Sequence, residues 1–354
     1  MGQIDDLIQQ GRALGCSDIH LTFGLPPMAR KNGKLIKMPG YEVLDAQQLQ
    51  ISADDMLVKC QIQRPQDPLD EIDFCYEAAD GSRNRVNIYY QQKKTVIAIR
   101  LLSAYIPSME ELKLPKILKD LAMLKRGMVL VTGPTGSGKS TTLASSLDYI
   151  NQSRSEHIIT IEDPVEYVHQ HKNCMVNQRE VGVDTNSFAA SLRSALREDP
   201  DIILVGEMRD LETIASAVTA AETGHLVFST LHTTGAAQTI DRIIDVFPPY
   251  QQQQIRTQLA SVLKAVISQQ LVPTADGKGR VAALEILLIT DAVANMIREN
   301  KCHQITSVLQ TGGRLGMQSM DGHLLELAQN HIIKPEMAVD YGIDKNMLMQ
   351  KLFA

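Results

Sequence analysis

The sequence contains no tryptophan, and aromatic residues make up only 4% of its 354 residues. Side chains on which nucleic-acid bases could stack are therefore scarce. Basic residues are outnumbered as well, with 35 Lys and Arg against 41 Asp and Glu, for a formal net charge of −6. An acidic chain lacks the positive surface of a general nucleic-acid binder, so we expect no nucleic-acid partner.

Cysteines are few and widely separated, and no C-x-x-C pair occurs among them. The five positions are Cys16, Cys60, Cys75, Cys174 and Cys302. An odd, dispersed set argues against a disulfide framework and against a zinc site. We expect reduced thiols, as in a cytoplasmic protein.

Long apolar runs are also absent. No stretch approaches the roughly 20 apolar residues that a membrane-spanning helix needs. The first ten residues, MGQIDDLIQQ, carry two Asp and lack the apolar core of a signal peptide. The longest apolar runs, near residues 128–131 and 202–205, have the length of buried strands. We therefore expect a soluble, cytoplasmic protein.

The length suggests two to three domains at the usual ~150 residues each. Residues 1–102 combine short amphipathic helices with alternating strand patterns, which predicts an α+β unit. Residues 103–115 (SAYIPSMEELKLP) contain two prolines and no clear period, so they are the predicted linker. Residues 116–354 form the predicted second domain, which reads as largely helical from about residue 234.

In the second domain, short apolar runs alternate with helical patterns. The predicted strands cover residues 128–132, 157–162, 201–205 and 226–230. The predicted helices between them include one that begins after Ser187 and one that begins after Asp210, both good N-cap residues. Alternating strands and helices predict an α/β fold with a mostly parallel sheet and helices on both faces.

A complete phosphate-loop pattern follows the first of these strands. The segment Gly133-Pro134-Thr135-Gly136-Ser137-Gly138-Lys139-Ser140 fits G-x-x-x-x-G-K-[ST], and Thr141 continues it into a helix. In such a loop the glycines let backbone N–H groups surround phosphate oxygens, the lysine supplies a positive charge, and the serine hydroxyl can bind Mg²⁺. The alternative is a flexible Gly-Ser turn. The strand before and the helix after it favour a site for a nucleoside triphosphate.

A carboxylate ends another apolar strand, at Glu207. Ligands of parallel sheets lie at the carboxyl ends of the strands, so Glu207 is a candidate catalytic base or outer metal partner. Such a strand usually also carries an Asp for Mg²⁺, but Gly206 stands in the penultimate place here. A solvent-exposed glutamate at a strand end is the alternative interpretation.

Three more carboxylates, Glu162, Asp163 and Glu166, follow the strand at residues 157–162. They could position water or Mg²⁺, or they could form a solvated turn, because Asp-Pro commonly begins a turn. Two histidines flank the strand at 226–230. His232, at its carboxyl end, could donate to a γ-phosphate, whereas His225 precedes the strand; either could equally be an ordinary loop residue.

In this order, the motifs resemble those of the secretion ATPases of the type II and type IV pilus superfamily. The resemblance rests on GPTGSGKSTTL, on ITIEDPVEYVH at 159–169, on LREDPDIILVGEMRDLETI at 196–214, and on TAAETGHLVFSTLHTT at 219–234. Near the N-terminus, SDIHL and the PP of GLPPMARKNGKL are similar to the family's N-terminal domain. The resemblance implies a PAS-like N-terminal domain followed by a RecA-like P-loop ATPase domain.

The resemblance also implies roles for single residues. Lys139 and Ser140 would hold the phosphates of ATP and Mg²⁺, and Glu207 would be the catalytic carboxylate. The acidic residues Glu162, Asp163 and Glu166 would shape the metal and water environment, and both histidines would lie near the phosphates. Family members form homohexameric rings in which N-domain arginines reach a neighbour's nucleotide, and the candidates here are Arg83, Arg85 and Arg100.

Two features indicate a pilus retraction motor within this family. The chain lacks the four-cysteine module typical of assembly and type II secretion ATPases, and AVANMIRE at 292–299 resembles a motif of retraction motors. Ala294 and Asn84 depart from the family pattern. The implied partner is an inner-membrane platform protein, bound from the cytoplasmic side. A secretion or assembly ATPase and a nucleotide-gated scaffold without turnover are the alternatives.

Overall fold

The computed structural model describes residues 3–31, 33–65, 67, 70–102 and 105–353. It divides the chain into two compact units, Met1–Tyr105 and Ile106–Ala354. Of the predicted linker, residues 103 and 104 lie outside the described residues. From Ile106 onward the chain is part of the second unit, and Met109 is buried in that unit's core.

The first unit is a six-stranded antiparallel sheet with two helices. Its elements are α1 (Gln3–Ala13), β1 (Asp18–Leu21), β2 (Met28–Lys31), β3 (Lys34–Lys37), α2 (Ala46–Lys59), β4 (Ile72–Glu77), β5 (Arg83–Gln91) and β6 (Lys94–Leu101). The strand order is β3-β2-β1-β6-β5-β4. Every neighbouring pair runs antiparallel, so hairpins join most of the strands.

Local sequence explains these elements. In β4 the side chains of Ile72, Phe74 and Tyr76 are buried while the intervening ones are more exposed, which is the alternation of a strand with one covered face. Asp45 and Gln48 form a reciprocal capping box at the start of α2. The buried faces of α1, α2 and the sheet form a single apolar core.

The second unit contains a seven-stranded sheet. Its first elements are α3 (Ile117–Ala122), β7 (Gly127–Thr132), α4 (Lys139–Ser153), β8 (His157–Glu162), β9 (Met175–Glu180), α5 (Phe188–Ala195), β10 (Ile202–Val205), α6 (Leu211–Glu222) and β11 (Leu226–Leu231). Then follow α7 (Ala236–Asp245), α8 (Pro249–Val262), β12 (Leu263–Pro273), β13 (Arg280–Leu288), α9 (Asp291–Arg298), α10 (Ile305–Thr311), α11 (Met320–Gln329), α12 (Pro335–Tyr341) and α13 (Lys345–Phe353).

The strand order is β13-β12-β7-β11-β10-β8-β9, and only the edge pair β12–β13 is antiparallel. The side chains of β7 alternate between two apolar cores, one on each face of the sheet. Met128 and Leu130 pack in the core formed with α5 to α9, and Val129 and Val131 pack in the core formed with α3 and α4. A strand covered on both faces has no polar side, which is why its sequence is a continuous apolar run. The predicted mixed α/β class, with a mostly parallel sheet between two helical layers, is confirmed.

The portion after about residue 234 is helical except for residues 263–288, which form the β12–β13 hairpin. This hairpin differs from the largely helical structure that the sequence predicts for this portion. Helix α8 passes directly into β12 at Leu263 with no intervening turn, and the apolar run of β12 lacks a regular alternation. A turn at Asp276-Gly277 joins these two strands. Among the residues that the structure describes, no helix is long and apolar enough to cross a membrane.

Candidate nucleotide-binding site

Four neighbouring parallel strands end at one edge of the second sheet, and a polar segment follows each of them. The loop that begins at Gly133 follows β7, and His232 follows β11. Glu207 comes shortly after β10, and Glu162 is the last residue of β8. Because the carboxyl ends of parallel strands share an edge, residues 100 positions apart in sequence come together there.

The loop between β7 and α4 has the backbone of a phosphate-binding turn. Gly138 precedes the first residue of α4 with a φ of 87°, and Gly136 has a φ of 78°, which side chains other than glycine rarely adopt. The N-terminal end of α4 therefore opens toward the loop, where its unpaired N–H groups favour an anion. The Ser137 hydroxyl oxygen is buried and has no hydrogen-bond partner among the described residues, and a phosphate oxygen would supply one.

Lys139, the first residue of α4, is buried with its ammonium group turned back into the loop. Its Nζ donates to the carbonyl of Gly133 at 2.9 Å and to that of Pro134 at 3.2 Å. Burial lowers the pKa of Lys139, and the negative charges of Glu207 and Glu166 oppose that effect. A further anion here would favour the charged form of the lysine.

His232 connects this lysine to the carboxylate after β10. Its Nδ1 lies 3.5 Å from the Lys139 Nζ, and its Nε2 lies 3.4 Å from Oε1 of Glu207. Because an ammonium group only donates, this arrangement fits an imidazole that carries its proton on Nε2. Glu207 also pairs with Arg209, whose guanidinium is largely exposed. The edge of the sheet thus carries a continuous row of charged and polar groups.

The backbone around Gly206 leaves little room for a side chain. A Cβ added to Gly206 would lie 3.1 Å from the carbonyl oxygen of Ile161 and 3.3 Å from the Cα of Glu162. The Thr230 hydroxyl donates to the Gly206 carbonyl at 2.6 Å. The glycine therefore lets the end of β10 approach β8 closely, and β11 holds it there.

The acidic segment after β8 contributes one enclosed and two more accessible carboxylates. Burial raises the pKa of Glu162 to about 7, although the Thr160 hydroxyl and the Gln178 amide donate to it at 2.6 and 3.1 Å. Asp163 is exposed and Glu166 is half-buried. Within the described ranges, no three His, Cys, Asp or Glu residues come together as a metal-binding group.

A small cavity of about 40 Å³ joins this segment to the phosphate loop. Ser140 and Glu162 both line it, together with Tyr167 and His169. The Tyr167 hydroxyl lies 2.8 Å from the Thr141 hydroxyl, so the segment after β8 is hydrogen-bonded to α4. Tyr167 and His169 were not among the predicted site residues, although both lie within the stretch at 159–169 that carries the acidic motif.

Two larger cavities lie nearby, one beside the phosphate loop and one beside Glu207. One, of about 400 Å³, borders Gly138, Thr141 and Thr142 and has apolar walls that include Leu112 and Leu271. The other, of about 390 Å³, is lined by Glu207, Arg209, His232 and Arg242. The first has the size and mixed lining of a site for a base and sugar, and the second is open to the row of charged groups.

The structure does not bring His225 to this edge. His225 precedes β11, and its carbonyl accepts from the N–H of Gly127 at the start of β7. The six residues of β11 separate it from His232, which at ~3.3 Å per residue is roughly 20 Å. Its Nδ1 lies 2.9 Å from the Ala220 carbonyl. The expectation that His225 lies near the phosphates is therefore wrong, because His225 lies at the amino ends of the parallel strands and the phosphate loop lies at their carboxyl ends.

The three candidate arginines lie on the sheet of the first unit. Arg85 and Arg100 are directly opposite each other on β5 and β6. The Nε of Arg100 donates to Asp18 at 3.0 Å, and 62% of the arginine side chain is exposed. Arg85 lies 3.9 Å from Asp73 and is also partly exposed. Both guanidinium groups therefore have surface available to a partner.

Arg83 differs, because its Nε lies 3.0 Å from the sulfur of Cys75. Between the two β5 arginines, Asn84 is fully buried and accepts from Arg12 of α1 at 2.8 Å. The departure from the family pattern at position 84 is thus an internal polar contact. Ala294, the other departure, is buried in α9 at 6% exposure.

Comparison with known proteins gives a consistent result. The family model described as "Type II/IV secretion system protein" matches residues 86–337. The "Type IV pilus retractation ATPase PilT" of Pseudomonas aeruginosa is 50% identical over 95% of this chain and 96% of its own length. The "Twitching motility protein" of Neisseria gonorrhoeae is 57% identical over 76% of this chain and 72% of its own.

Among solved structures, the chain is similar to that of the pilus retraction motor PilT with bound ADP. The TM-score is 0.88 with 45% sequence identity, over 99% of this chain and 100% of the other. The likeness therefore includes both units and extends well beyond the phosphate loop.

Proposed function

Because the chain belongs to the type II/IV secretion system protein family, we propose that it acts as the ATP-driven motor of type IV pilus retraction. It is an ATPase, and its similarity to a pilus retraction ATPase covers nearly the full length of both chains. That extent carries the proposal, since a phosphate loop alone occurs in proteins of many functions.

The phosphate loop binds the nucleotide. Backbone N–H groups from Gly136 to Ser140 surround the β- and γ-phosphates, and Lys139 exchanges the carbonyls of Gly133 and Pro134 for phosphate oxygens. The 400 Å³ cavity beside Thr141 takes the base and ribose. The unpartnered Ser137 hydroxyl gains a phosphate oxygen as its partner.

The residues that line the small cavity fit Mg²⁺. The Ser140 hydroxyl and the Glu162 carboxylate are oxygen donors, which a hard cation prefers. When bound, Mg²⁺ neutralises negative charge that develops on the phosphates. Asp163 and Glu166 add negative charge around the same segment and order water there.

Glu207 is the catalytic carboxylate. It orients the attacking water and accepts its proton, while His232 holds the carboxylate on one side through Nε2. Lys139 lies beyond the imidazole, so the same three side chains connect the γ-phosphate to the base. A change at the phosphate therefore reaches Glu207 through one hydrogen-bonded path.

Motion of the pilus requires more than one subunit. The chain assembles as a homohexamer. In the ring, one of three arginines reaches the nucleotide of a neighbouring subunit and stabilises transition-state charge; the candidates are Arg83, Arg85 and Arg100. Hydrolysis then shifts the balance between open and closed subunits because the contacts across the nucleotide change. The ring works at the cytoplasmic face of the inner membrane on a platform protein.

Deletion of the gene in the bacterium that encodes the chain tests this proposal. We expect pili to remain on the surface but to stop retracting, so that twitching motility is lost. Expression of the wild-type chain should restore motility, and Lys139→Ala should not. A deletion strain that lacks pili altogether would instead indicate an assembly ATPase, and one with normal retraction would contradict the proposal.

A further inference from the structure

Gln269 of β12 lies directly against the phosphate loop, although it is about 130 residues away in sequence. It is 2% exposed. Its Oε1 accepts from the Thr142 hydroxyl at 2.8 Å, and its Nε2 donates to the Ser137 carbonyl at 2.7 Å. One buried amide thus bonds both the loop and the first turn of α4.

The loop also packs onto Gln269 with little space to spare. A Cβ added to Gly133 would lie 2.2 Å from the Gln269 carbonyl oxygen, and one added to Gly138 would lie 2.8 Å from its Nε2. Both distances are shorter than any ordinary contact. The first and last glycines of the motif are therefore required by the closeness of Gln269 as well as by their own backbone angles.

The hydrogen bond from Gln269 to the Ser137 carbonyl fixes the direction of the Gly138 N–H, which faces the proposed phosphate site. In a trans peptide the carbonyl and the N–H of the same unit point in opposite directions. The Ser137 carbonyl is directed at Gln269, so the Gly138 N–H of that unit points away from Gln269. Rotation of this peptide would turn the N–H out of the position in which it can bind a phosphate.

We propose that Gln269 is a positioning residue for ATP hydrolysis, which sets the orientation of the phosphate loop through its hydrogen bonds to Ser137 and Thr142. Ser268, which precedes Gln269 in β12, holds a second segment of the candidate site. The Ser268 hydroxyl accepts from the N–H of Gly235 at 2.9 Å, three residues after His232. Consecutive residues of β12 thus hold both the segment of Lys139 and the segment of His232. The inference rests on the ATPase activity and adds a residue outside the four sequence motifs.

The test compares two adjacent glutamines of one strand. Gln269→Glu keeps the shape but places an oxygen opposite the Ser137 carbonyl, whereas Gln270→Glu makes the same change at a half-buried residue with no side-chain hydrogen bond in the described structure. ATP turnover is measured as kcat and KM, and thermal unfolding is measured with and without MgADP. Loss of one or two hydrogen bonds at about fivefold each predicts a KM raised roughly five- to twenty-fivefold and a lower kcat for Gln269→Glu.

The ligand-induced rise in Tm separates positioning from stability. A residue that only stabilises the fold would lower the Tm of the free protein and leave the MgADP-induced rise and the KM unchanged. We expect Gln269→Glu to reduce that rise, and Gln270→Glu to behave as wild type. A folded Gln269→Glu protein with wild-type KM, kcat and MgADP shift would overturn the inference, whereas inactivity of the wild-type protein would instead count against the ATPase function.

Thr142→Val provides a second test should Gln269→Glu fail to fold. It removes the hydroxyl that donates to Oε1 and retains the shape of the side chain. We expect a smaller change, about a fivefold rise in KM. A wild-type KM and MgADP shift in this variant would then decide against the proposal.

Discussion

At the scale of single residues, the side chains at the edge of the second sheet depend on one another. Lys139, His232 and Glu207 are connected in a row, and the imidazole has a different partner at each nitrogen. If Glu207 is the catalytic carboxylate, as proposed, this interaction orients the group that receives the proton more than it binds substrate.

His232→Ala should therefore lower kcat more than it raises the KM for ATP. We expect kcat to fall roughly tenfold to a hundredfold, less than the roughly hundredfold to ten-thousandfold of a group that itself transfers the proton, because His232 only orients Glu207. Steady-state kinetics over a range of ATP concentrations measures the two constants separately. A rise in KM of that size with an unchanged kcat would show that His232 contributes to nucleotide binding and not to the chemical step. His331→Ala, an exposed histidine elsewhere, is the control.

His169 makes the stability of the protein sensitive to acid. Burial lowers its pKa to about 4, and its Nδ1 has no hydrogen-bond partner among the described residues. Below about pH 6.5 the unfolded chain binds a proton at this histidine that the folded chain does not bind until about pH 4. The unfolded state thus gains protons first, and the free energy of unfolding decreases as the pH falls through this window.

In His169→Gln this contribution is removed. We expect the wild-type protein to lose up to about 3 kcal/mol more than the variant between pH 7 and pH 4, at 1.36 kcal/mol for each pH unit of the shift. Urea unfolding at several pH values measures the difference. The exposed His303→Gln should follow the wild type, and parallel curves for wild type and His169→Gln would contradict this account.

At the scale of helices and strands, the sequence predicts best what is determined locally. The strand before the phosphate loop and the N-caps at Ser187 and Asp210 are present as expected, because apolar runs and capping residues act within a few positions. The β12–β13 hairpin was missed. Its first strand, β12, contacts the phosphate loop because it lies next to β7. That placement is set by the order of strands in the sheet and not by any local sequence pattern.

Asp210→Ala should destabilise the second unit. The Asp210 carboxylate accepts from the N–H and the hydroxyl of Thr213 at 2.9 and 2.7 Å, at the start of α6. Loss of such a cap costs about 1 kcal/mol. Urea unfolding measures it, with Asp245→Ala, an exposed acidic residue at the end of α7, as the control. Equal stability of the two variants would show that this cap contributes nothing.

At the scale of the whole molecule, each of the two units carries its own candidate residues. The second unit holds the phosphate loop and Glu207, whereas Arg85 and Arg100 belong to the first unit. The sequence predicted the loop and the carboxylate from their motifs. The sequence did not distinguish among the three arginines, because the exposure and the partners of each depend on the neighbouring strands. Arg100 is more exposed than Arg85, and Arg83 lies against Cys75.

If these arginines act on the nucleotide of a neighbouring subunit, two inactive proteins should restore activity when mixed. The double variant Arg85→Ala/Arg100→Ala retains an intact phosphate loop, and Lys139→Ala retains the arginines. After reassembly of mixed rings we expect up to about a quarter of the wild-type ATP turnover, because only one pairing in four combines both intact halves. No recovery from mixed rings of confirmed composition would place the arginines in the same subunit as their nucleotide, or outside the reaction.

The most direct test of the central claim is the ATP turnover of the purified Glu207→Gln variant beside the wild-type protein. We expect that the variant still binds ATP but that its turnover falls at least roughly a hundredfold, because the amide cannot accept the proton of the attacking water. Glu336→Gln, at an exposed position of α12, should retain wild-type turnover. Hydrolysis by Glu207→Gln at the wild-type rate would contradict the account.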